Sequence, residues 1–470
     1  MEYLQHDLKH IIEKYESNKR NPISFDFKTS TQSILNDKYK RDNRYIHHIH
    51  YYPGRIYHYI PLYLLSLENF ASLDGYLLDP FAGSGTILLE SIINPIIKRN
   101  SLGVEINPLA RLISKVKTTP IDCSKIDQLM TEIYRGYNQS LDLCSYIPVY
   151  KTIDLWFSNK AMEKLAKLKS SIENLDVSEK YKDFFWVCFS SVVRKVSKAD
   201  PYIPPPVVLK IEKYKENTKK YQKLESILKQ AEDPDVWELF KAAVGNNKTK
   251  LEILYDFEEV KSGEIKAEII WKDAKSIEKG ILSERGRIAS NSSKPVPSNS
   301  VDIIFTSPPY LTAQKYIRTA KLELLWLGYS EKEIIDLDKT SIGSERISQR
   351  QESSILGVSS IDSLVDYTIS KSKERGLMVY KYFEDMIMAL REMYRLLNKR
   401  GYVFLVVGDN RVLGRRVDTY KLLRDAAIDI GFTEVVTMKD EIRTRSMITV
   451  RNGTGGLIKD EYIVILKKGS

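Results

Sequence analysis

Short apolar runs rich in β-branched residues recur along the chain and alternate with longer stretches of helical periodicity. The apolar runs predict strands near 75–79, 102–106, 267–273, 301–305, 402–407, 433–438 and 462–466. Helices are predicted after residue 85 and at 60–70, 316–327, 380–397 and 418–430, with a turn at 399–401. This alternation favours an α/β fold with a mostly parallel sheet and helices on both faces.

Two insertions interrupt the alternation. Between 123 and 265 the pattern is mostly helical, as at 156–175 and 181–196, and a proline-rich stretch, Asp200–Pro206, leads into a lysine-rich segment. This basic insertion is predicted to be a cap or a target-recognition module. The second insertion contains a polar, Ser-rich stretch, 341–363, predicted to be disordered or ordered by substrate. The predicted organisation is a polar N-terminal segment (1–45), core (46–122), helical insertion (123–265), core (266–310), second insertion (311–379) and core (380–470).

A glycine-containing loop, Asp79–Thr86, connects the first core strand to the following helix. Gly83 and Gly85 permit positive φ and a close approach of ligand to backbone, and the helix that follows offers N–H groups. About 20 residues later a second predicted strand ends in Glu105, the spacing at which a carboxylate accepts hydrogen bonds from ribose hydroxyls. The pattern predicts a site for a nucleoside-containing cofactor.

A second motif, Thr306-Ser307-Pro308-Pro309-Tyr310, follows the buried run 301–305. Its two prolines fix φ and remove two N–H donors, which leaves a stiff turn rich in hydrogen-bond acceptors. Open α/β sheets place their chemistry where such strands end. Alone, the motif also fits an ordinary proline-containing strand end.

Taken together, the glycine loop, Glu105, Asp273 and the Pro-Pro turn resemble the S-adenosyl-L-methionine (SAM)-dependent amino-methyltransferases of DNA. Residues 79–86 are similar to that family's cofactor motif, and residues 306–310 to its catalytic motif. The resemblance covers about 46–122, 266–330 and 380–470, and neither insertion carries a matching motif. It implies a Rossmann-like methyltransferase sheet, SAM as methyl donor without a metal, and double-stranded DNA as substrate.

The resemblance also implies roles for individual residues. Ser307 and the Pro308 carbonyl would accept hydrogen bonds from the target amine, and Tyr310 would stack on a base flipped out of the duplex. The expected catalytic residues are Ser307, Pro308, Pro309 and Tyr310. The expected cofactor-binding residues are Asp79, Phe81, Gly83, Gly85, Thr86, Glu105, Asp273 and Thr306, with the segment 51–55 near the methionine moiety. The candidates for phosphate contacts are Lys315, Arg318 and Lys321.

Composition limits the remaining possibilities. Lys and Arg number 72 against 62 Asp and Glu, a formal charge of +10 that suits a polyanionic partner. No apolar stretch is long enough to span a membrane and no signal peptide is recognised, so a cytoplasmic location is predicted. Three scattered cysteines, none following a proline, argue against a disulfide framework and against methylation of a ring carbon. Histidines cluster at 47–58 without joining a plausible ligand set, and we expect no metal there.

The resulting prediction is methylation of the N4 amine of cytosine in duplex DNA, within a restriction-modification system that has a candidate partner endonuclease. In the family that the chain resembles, Ser at the position of Ser307 is commonest in cytosine N4 enzymes, whereas Asp or Asn is typical of adenine N6 enzymes. Three alternatives stay open: adenine N6 methylation, RNA guanine N2 methylation, and an inactive SAM-binding DNA-specificity subunit.

Overall fold

The computed structural model describes residues 8–32, 43–70, 72–73, 75–139, 143–277, 296–311, 315–346, 354–441 and 460–469. The strands are β1 (Ile23–Ser24), β2 (Tyr76–Asp79), β3 (Ser101–Val104), β4 (Ala267–Trp271), β5 (Val301–Thr306), β6 (Leu397–Gly408), β7 (Asn410–Val412), β8 (Arg415–Val417), β9 (Phe432–Glu441) and β10 (Asp460–Lys468). The helices before β4 are α1 (Leu8–Ser17), α2 (Phe27–Gln32), α3 (Tyr59–Leu65), α4 (Thr86–Ile92), α5 (Pro108–Thr118), α6 (Ile126–Tyr137), α7 (Asn159–Glu173), α8 (Glu179–Val193), α9 (Thr218–Glu232), α10 (Val236–Leu251) and α11 (Glu258–Ser262). Those after β5 are α12 (Tyr316–Thr319), α13 (Lys321–Trp326), α14 (Glu331–Thr340), α15 (Ser359–Lys371), α16 (Lys373–Leu396) and α17 (Thr419–Ile430).

One eight-stranded sheet organises the molecule, in the order β1-β9-β10-β6-β5-β2-β3-β4. Strand β10 runs antiparallel to β6 and β9, and the other neighbouring strands pair in parallel. Parallel strands are covered on both faces, which explains continuous apolar runs such as Ile303–Phe305, all buried. The seven strands predicted from apolar runs are confirmed, and so is the Rossmann-like α/β fold.

Helices cover the two faces of the sheet. On one face, Leu77, Ile303 and Phe404 pack with apolar residues of α1, α3 and α4. On the other face, Leu78, Ile304 and Leu405 pack with α15, α16 and α17. Because successive side chains of a strand point to opposite faces, each strand contributes to both cores.

The helical insertion packs against the core rather than standing apart from it. Its α8 contributes Phe184, Phe185 and Phe189 to a cluster that also contains residues of α4 and α5 and the buried Trp326 of α13. The insertion therefore shares one continuous core with α4 and α5, the helices that follow the glycine loop and β3.

Some local predictions differ from the structure. The N-terminal segment, to which the sequence assigned no structure, contributes α1 and the edge strand β1, which pairs in parallel with β9. The predicted turn at 399–401 is wrong, since β6 continues through it with a shift in register between Val301 and Ile303. The disorder predicted up to residue 363 is wrong from Ser359, where α15 begins; residues 347–353 lie outside the described residues.

Among the described helices, none is both long and apolar enough to cross a membrane.

Gly103 lies in β3 where the strand packs closely against its neighbours, and substituting it tests that packing. A Cβ at this position would lie 2.6 Å from Ile269 Cδ1 and 2.7 Å from Leu88 Cδ1. We expect Gly103→Ala to lower the free energy of unfolding, measured with urea, by about 1–3 kcal/mol through overpacking. Gly245→Ala in α10 is the control, because no atom lies within 4 Å of the added methyl and helix propensity rises. Equal stability of the Gly103→Ala variant and the unmodified protein would contradict this packing.

Candidate active site

A pocket opens at the carboxyl edge of the sheet, where β2, β3, β4 and β5 end. It encloses about 700 Å³, including space open to solvent. The lining residues are Tyr52, Gly54, Pro80, Phe81, Gly83, Val104, Glu105, Ile106, Asn107, Lys272, Asp273, Ala274, Ser307, Pro309, Tyr316, Ile317, Thr340, Ser341 and Ile342. Because parallel strands end at the same edge, loops far apart in sequence meet in this pocket.

The glycine loop has the backbone conformation that its sequence predicts. Gly83 has φ +50° and Gly85 has φ +74°, both in the left-handed region that glycine adopts without strain. A Cβ on Gly85 would also collide with Ser114 of α5. The loop is thus shaped by backbone geometry, and its Phe81 and Gly83 face the pocket.

Glu105 holds the glycine loop from the end of β3. Its Oε2 accepts a hydrogen bond from the Gly83 N–H (2.7 Å), and its Oε1 accepts one from the Asn107 N–H (2.7 Å). Burial raises the pKa of Glu105, and these backbone donors act in the opposite direction. Each carboxylate oxygen can accept a further hydrogen bond, so Glu105 can support the loop and also accept from a hydroxyl in the pocket.

Asp79 lies behind the pocket and joins β2 to β5. Its Oδ1 accepts hydrogen bonds from Thr306 Oγ1 (2.6 Å) and from the Phe81 N–H (3.0 Å). Asp79 is 1% exposed and Thr306 is fully buried. Burial raises the pKa of Asp79 to about 7. These two side chains therefore connect the glycine loop to the Pro-Pro turn and do not reach the pocket surface.

The Pro-Pro turn places Ser307 and Pro309 on the pocket wall, while Pro308 is buried. The Pro309 carbonyl accepts a hydrogen bond from the Tyr382 hydroxyl of α16 (2.9 Å). Among the described residues, nothing donates to the Pro308 carbonyl. The turn is therefore anchored at one carbonyl and leaves the other acceptor available.

Tyr310 is held by a residue that the sequence did not indicate. Its hydroxyl donates to Oε1 of Glu461 at the start of β10 (2.8 Å). Burial raises the pKa of Tyr310 well above its ordinary value, the charge of Glu461 raises it further, and interaction with the Ser307 side chain lowers it. No pattern around Glu461 could have identified it, because the contact spans 151 residues.

Two further aromatic residues line the pocket, Tyr52 and Tyr316. Their rings are nearly parallel, with centroids 6.5 Å apart and planes 21° apart. Tyr52 belongs to the segment 51–55 that the sequence placed near the cofactor, whereas Tyr316 was not expected there. The chain has 29 tyrosines, and no local pattern distinguishes Tyr316 from the others.

Of the predicted cofactor-binding residues, Phe81, Gly83, Glu105 and Asp273 line the pocket. Asp273 is held in a turn, its Oδ1 accepting from the Lys275 N–H (3.0 Å). Asp79, Gly85, Thr86 and Thr306 are not among the lining residues and lie behind them. The structure brings both predicted motifs to one pocket, and the individual binding roles stay predictions.

The three predicted phosphate contacts are paired within the protein. Lys315 contacts Glu345 (2.9 Å), and Arg318 contacts Asp338 (2.8 Å). Lys321 donates to the Tyr150 hydroxyl (2.6 Å). These pairs tie α12 and α13 to neighbouring segments of the protein, and a phosphate would have to compete with them.

The histidine-rich stretch forms internal contacts. His47 Nε2 lies 2.8 Å from the buried Glu90 of α4, and His50 hydrogen-bonds to Ser190 of α8 (3.0 Å). Across the parts of the chain that the structure describes, no group of three or more His, Cys, Asp or Glu side chains is placed to hold a metal ion.

The strand order, with a single antiparallel strand between β6 and β9, and the pocket at the carboxyl edge define a Rossmann-like α/β fold of the methyltransferase type. No protein-family model matches the chain. It is 24% identical over 436 residues to the type II methyltransferase M.MvaI of Kocuria varians, a match that covers 88% of this chain and 85% of that protein. It is 24% identical over 420 residues to the type II methyltransferase M.BsoBI of Geobacillus stearothermophilus, covering 78% and 75% of the two chains.

Solved structures give weaker similarities. The DNA modification methylase TTHA0409 of Thermus thermophilus, complexed with SAM, matches 37% of this chain and 50% of its own, with a TM-score of 0.19 and 19% identity. The rRNA methyltransferase aviRa of Streptomyces viridochromogenes matches 91% and 93% of the two chains, with a TM-score of 0.27 and 9% identity. Both TM-scores are low, and the fold assignment depends on the strand order instead.

The carboxyl of Asp79 predicts a pH dependence of stability. Its pKa is raised to about 7 in the fold, so the folded state retains a proton that the unfolded chain loses near pH 4. Stability should therefore fall as pH rises towards 7, by at most about 1.4 kcal/mol per pH unit from this group. Asp79→Asn keeps an oxygen acceptor and cannot titrate, so urea denaturation should show a smaller loss between about pH 5 and pH 8. The exposed Asp154→Asn is the control, and parallel pH profiles for the Asp79→Asn variant and the unmodified protein would refute the prediction.

Proposed function

We propose that this protein is a SAM-dependent DNA methyltransferase that transfers a methyl group to an exocyclic amine, with N4 of cytosine as the favoured target. The observation that carries the proposal is the joining of the two motifs by the 2.6 Å hydrogen bond between Thr306 and Asp79. It sets the Ser307 turn beside the glycine loop at adjacent strand ends. The similarity to two type II methyltransferases over most of the chain supports the same function.

The chemistry of the pocket residues fits SAM. Phe81 and Gly83 would lie along the methionine portion, Glu105 would accept hydrogen bonds from the ribose hydroxyls, and Asp273 would lie at the adenine. The left-handed glycines allow the ligand to approach the loop backbone closely. When bound, SAM supplies a methyl group activated by its sulfonium.

The acceptors of the turn fit an amine substrate. The lone pair of an exocyclic amine is delocalised into the ring, so a site that accepts hydrogen bonds from its N–H groups makes the nitrogen a better nucleophile. Ser307 Oγ and the Pro308 carbonyl supply such acceptors, while Tyr382 already occupies the Pro309 carbonyl. A base in a duplex cannot reach this pocket, so the target must be flipped out.

The cysteines favour an amine over a ring carbon as the target. Methylation of a ring carbon needs a thiolate nucleophile next to the base. Burial raises the pKa of Cys123 to about 11 and that of Cys188 to about 12, and neither lines the pocket.

Adenine N6 remains the second candidate, since its amine would use the same acceptors, and Ser307 is the residue that favours cytosine. A cognate endonuclease would complete a restriction-modification system.

Ser307→Ala tests the proposed activity. Loss of the hydroxyl acceptor should slow single-turnover methyl transfer from labelled SAM to duplex DNA by about 10²-fold or more. The affinity for SAM should stay within about threefold, because Ser307 is expected to contact the amine rather than to hold the cofactor. The exposed Ser363→Ala is the control. Unchanged methyl transfer by the Ser307→Ala variant, or label transferred to RNA but not to duplex DNA by the unmodified protein, would contradict the proposal.

A basic surface of the helical insertion is a stronger candidate for phosphate contacts than Lys315, Arg318 and Lys321, which are paired within the protein. Lysines 210, 213, 215, 219 and 223 are exposed, and within the described residues no carboxylate forms an ion pair with them. The neighbouring Arg194 donates to the carbonyls of Ile203 and Pro204 and to that of Thr319 in α12, which links the proline-rich stretch to the region after the catalytic turn. The duplex is therefore proposed to contact the insertion beside the pocket.

The double change Lys213→Glu and Lys219→Glu tests this surface. Losing two phosphate contacts should weaken duplex binding by about tenfold or more and reduce the slope of log affinity against log salt by about two. The matched control is the double charge reversal Lys14→Glu and Lys28→Glu. Both lysines are exposed and belong to the N-terminal segment, which carries the edge strand β1 at the opposite side of the sheet from β4. Equal losses in the two double variants would show that net charge alone, not this surface, determines binding.

A further inference from the structure

A partly buried carboxylate, that of Glu461, lies behind the catalytic turn and is not among the residues that line the pocket. Glu461 occupies the start of β10, opposite Gly408 of β6 and Asp440 of β9. Because β10 runs antiparallel, its first residues lie at the edge where the parallel strands end. From there Glu461 Oε1 accepts the hydrogen bond of the Tyr310 hydroxyl at 2.8 Å.

Tyr310 belongs to the same turn as Ser307 and contacts Glu461. Its hydroxyl donates to Glu461 Oε1, and the nearby Ser307 side chain lowers the pKa of the phenol. When the Ser307 hydroxyl donates to the phenol oxygen, its own lone pairs face the pocket, where an amine N–H would lie. The hydroxyls of Ser307 and Tyr310 then both donate in the direction of the Glu461 carboxylate. The Ser307 oxygen is left as a hydrogen-bond acceptor for the substrate.

Methylation of an amine requires a group that accepts a proton. As the amine nitrogen forms its bond to the methyl carbon, the carbon–sulfur bond breaks and its electron pair remains on sulfur. The nitrogen then carries a positive charge and one proton more than the neutral methylated product. That proton must leave the nitrogen during or after transfer.

We propose that Glu461 receives this proton through Tyr310 and Ser307. The amine proton passes to Ser307 Oγ, the Ser307 proton passes to the Tyr310 oxygen, and the Tyr310 proton passes to Glu461, so that both hydroxyls are restored. The proton on Glu461 returns to solvent after the product leaves. Glu461 thus acts through Tyr310 as a positioning and proton-accepting residue, and this role rests on the proposed amino-methyltransferase activity.

The surroundings suit this task. Burial raises the pKa of Glu461, which makes its carboxylate a better proton acceptor, and the hydrogen bond from Tyr310 acts in the opposite direction. The titratable groups facing this pair are Tyr316 of α12 and Asp440 across the strand pair; Asp409, after Gly408, is paired with Arg416. Within the described residues, no cationic side chain pairs with Glu461.

Glu461→Gln tests the relay, because the amide oxygen still accepts from Tyr310 but does not take up a proton at neutral pH. Single-turnover methyl transfer to duplex DNA should rise with pH in the unmodified protein as Glu461 ionises, and should be flat in the variant between about pH 5 and pH 8. At the plateau the variant should be slower by about 10²-fold, with SAM affinity unchanged. Tyr310→Phe keeps the ring and removes the middle hydroxyl, and should lose the same pH dependence.

The double variant Glu461→Gln, Tyr310→Phe should be no slower than the slower single variant, since the two residues act as one unit. A Glu461→Gln variant with the unmodified rate and pH profile would overturn the relay. So would a Tyr310→Phe variant that keeps the rise with pH. Failure of the unmodified protein to methylate any duplex would instead overturn the proposed function, which separates the two claims.

Discussion

The hydrogen bond between Asp79 and Thr306 is the interaction on which the site depends. It joins the ends of β2 and β5 at the point where one strand passes into the glycine loop and the other into the Pro-Pro turn. A second contact between the same strands, from the Gly75 N–H to the Asp302 carboxylate (2.8 Å), fixes their other ends. The two residues that this bond joins are 227 positions apart in the sequence. Because it holds β2 and β5 in register, it also holds the loop and the turn that follow them in a fixed relative position.

The rest of the molecule supports this pair of strands. Glu105 ties the glycine loop to β3, Tyr382 ties the turn to α16, and Glu461 ties Tyr310 to β10. The helical insertion shares a core with α4 and α5, so it is fixed relative to the glycine loop. A surface that binds DNA on this insertion would therefore hold a fixed position relative to the pocket, which a flexibly tethered module would not.

The sequence was sufficient to predict those strands and site residues that depend on a local pattern of residues. Runs such as 301–305 predicted the strands, because parallel strands are apolar on both faces. Gly83, Glu105, Asp273 and Ser307 could be brought together because parallel strands end at one edge. The two-residue strand β1 was missed because it is too short to show a period, and the turn expected at 399–401 gave way to the pairing of β6 with β5. Glu461, Tyr382 and the acidic partners of Lys315 and Arg318 depend on contacts that no local pattern encodes.

The two motifs are proposed to form one site for methylating an exocyclic amine. This proposal can be tested by digesting DNA from cells that express the protein to nucleosides and identifying the methylated bases by mass spectrometry. We predict N4-methylcytosine that is absent from cells expressing the Ser307→Ala variant. DNA without any methylated exocyclic amine, or with methylation at a cytosine ring carbon alone, would contradict the claim.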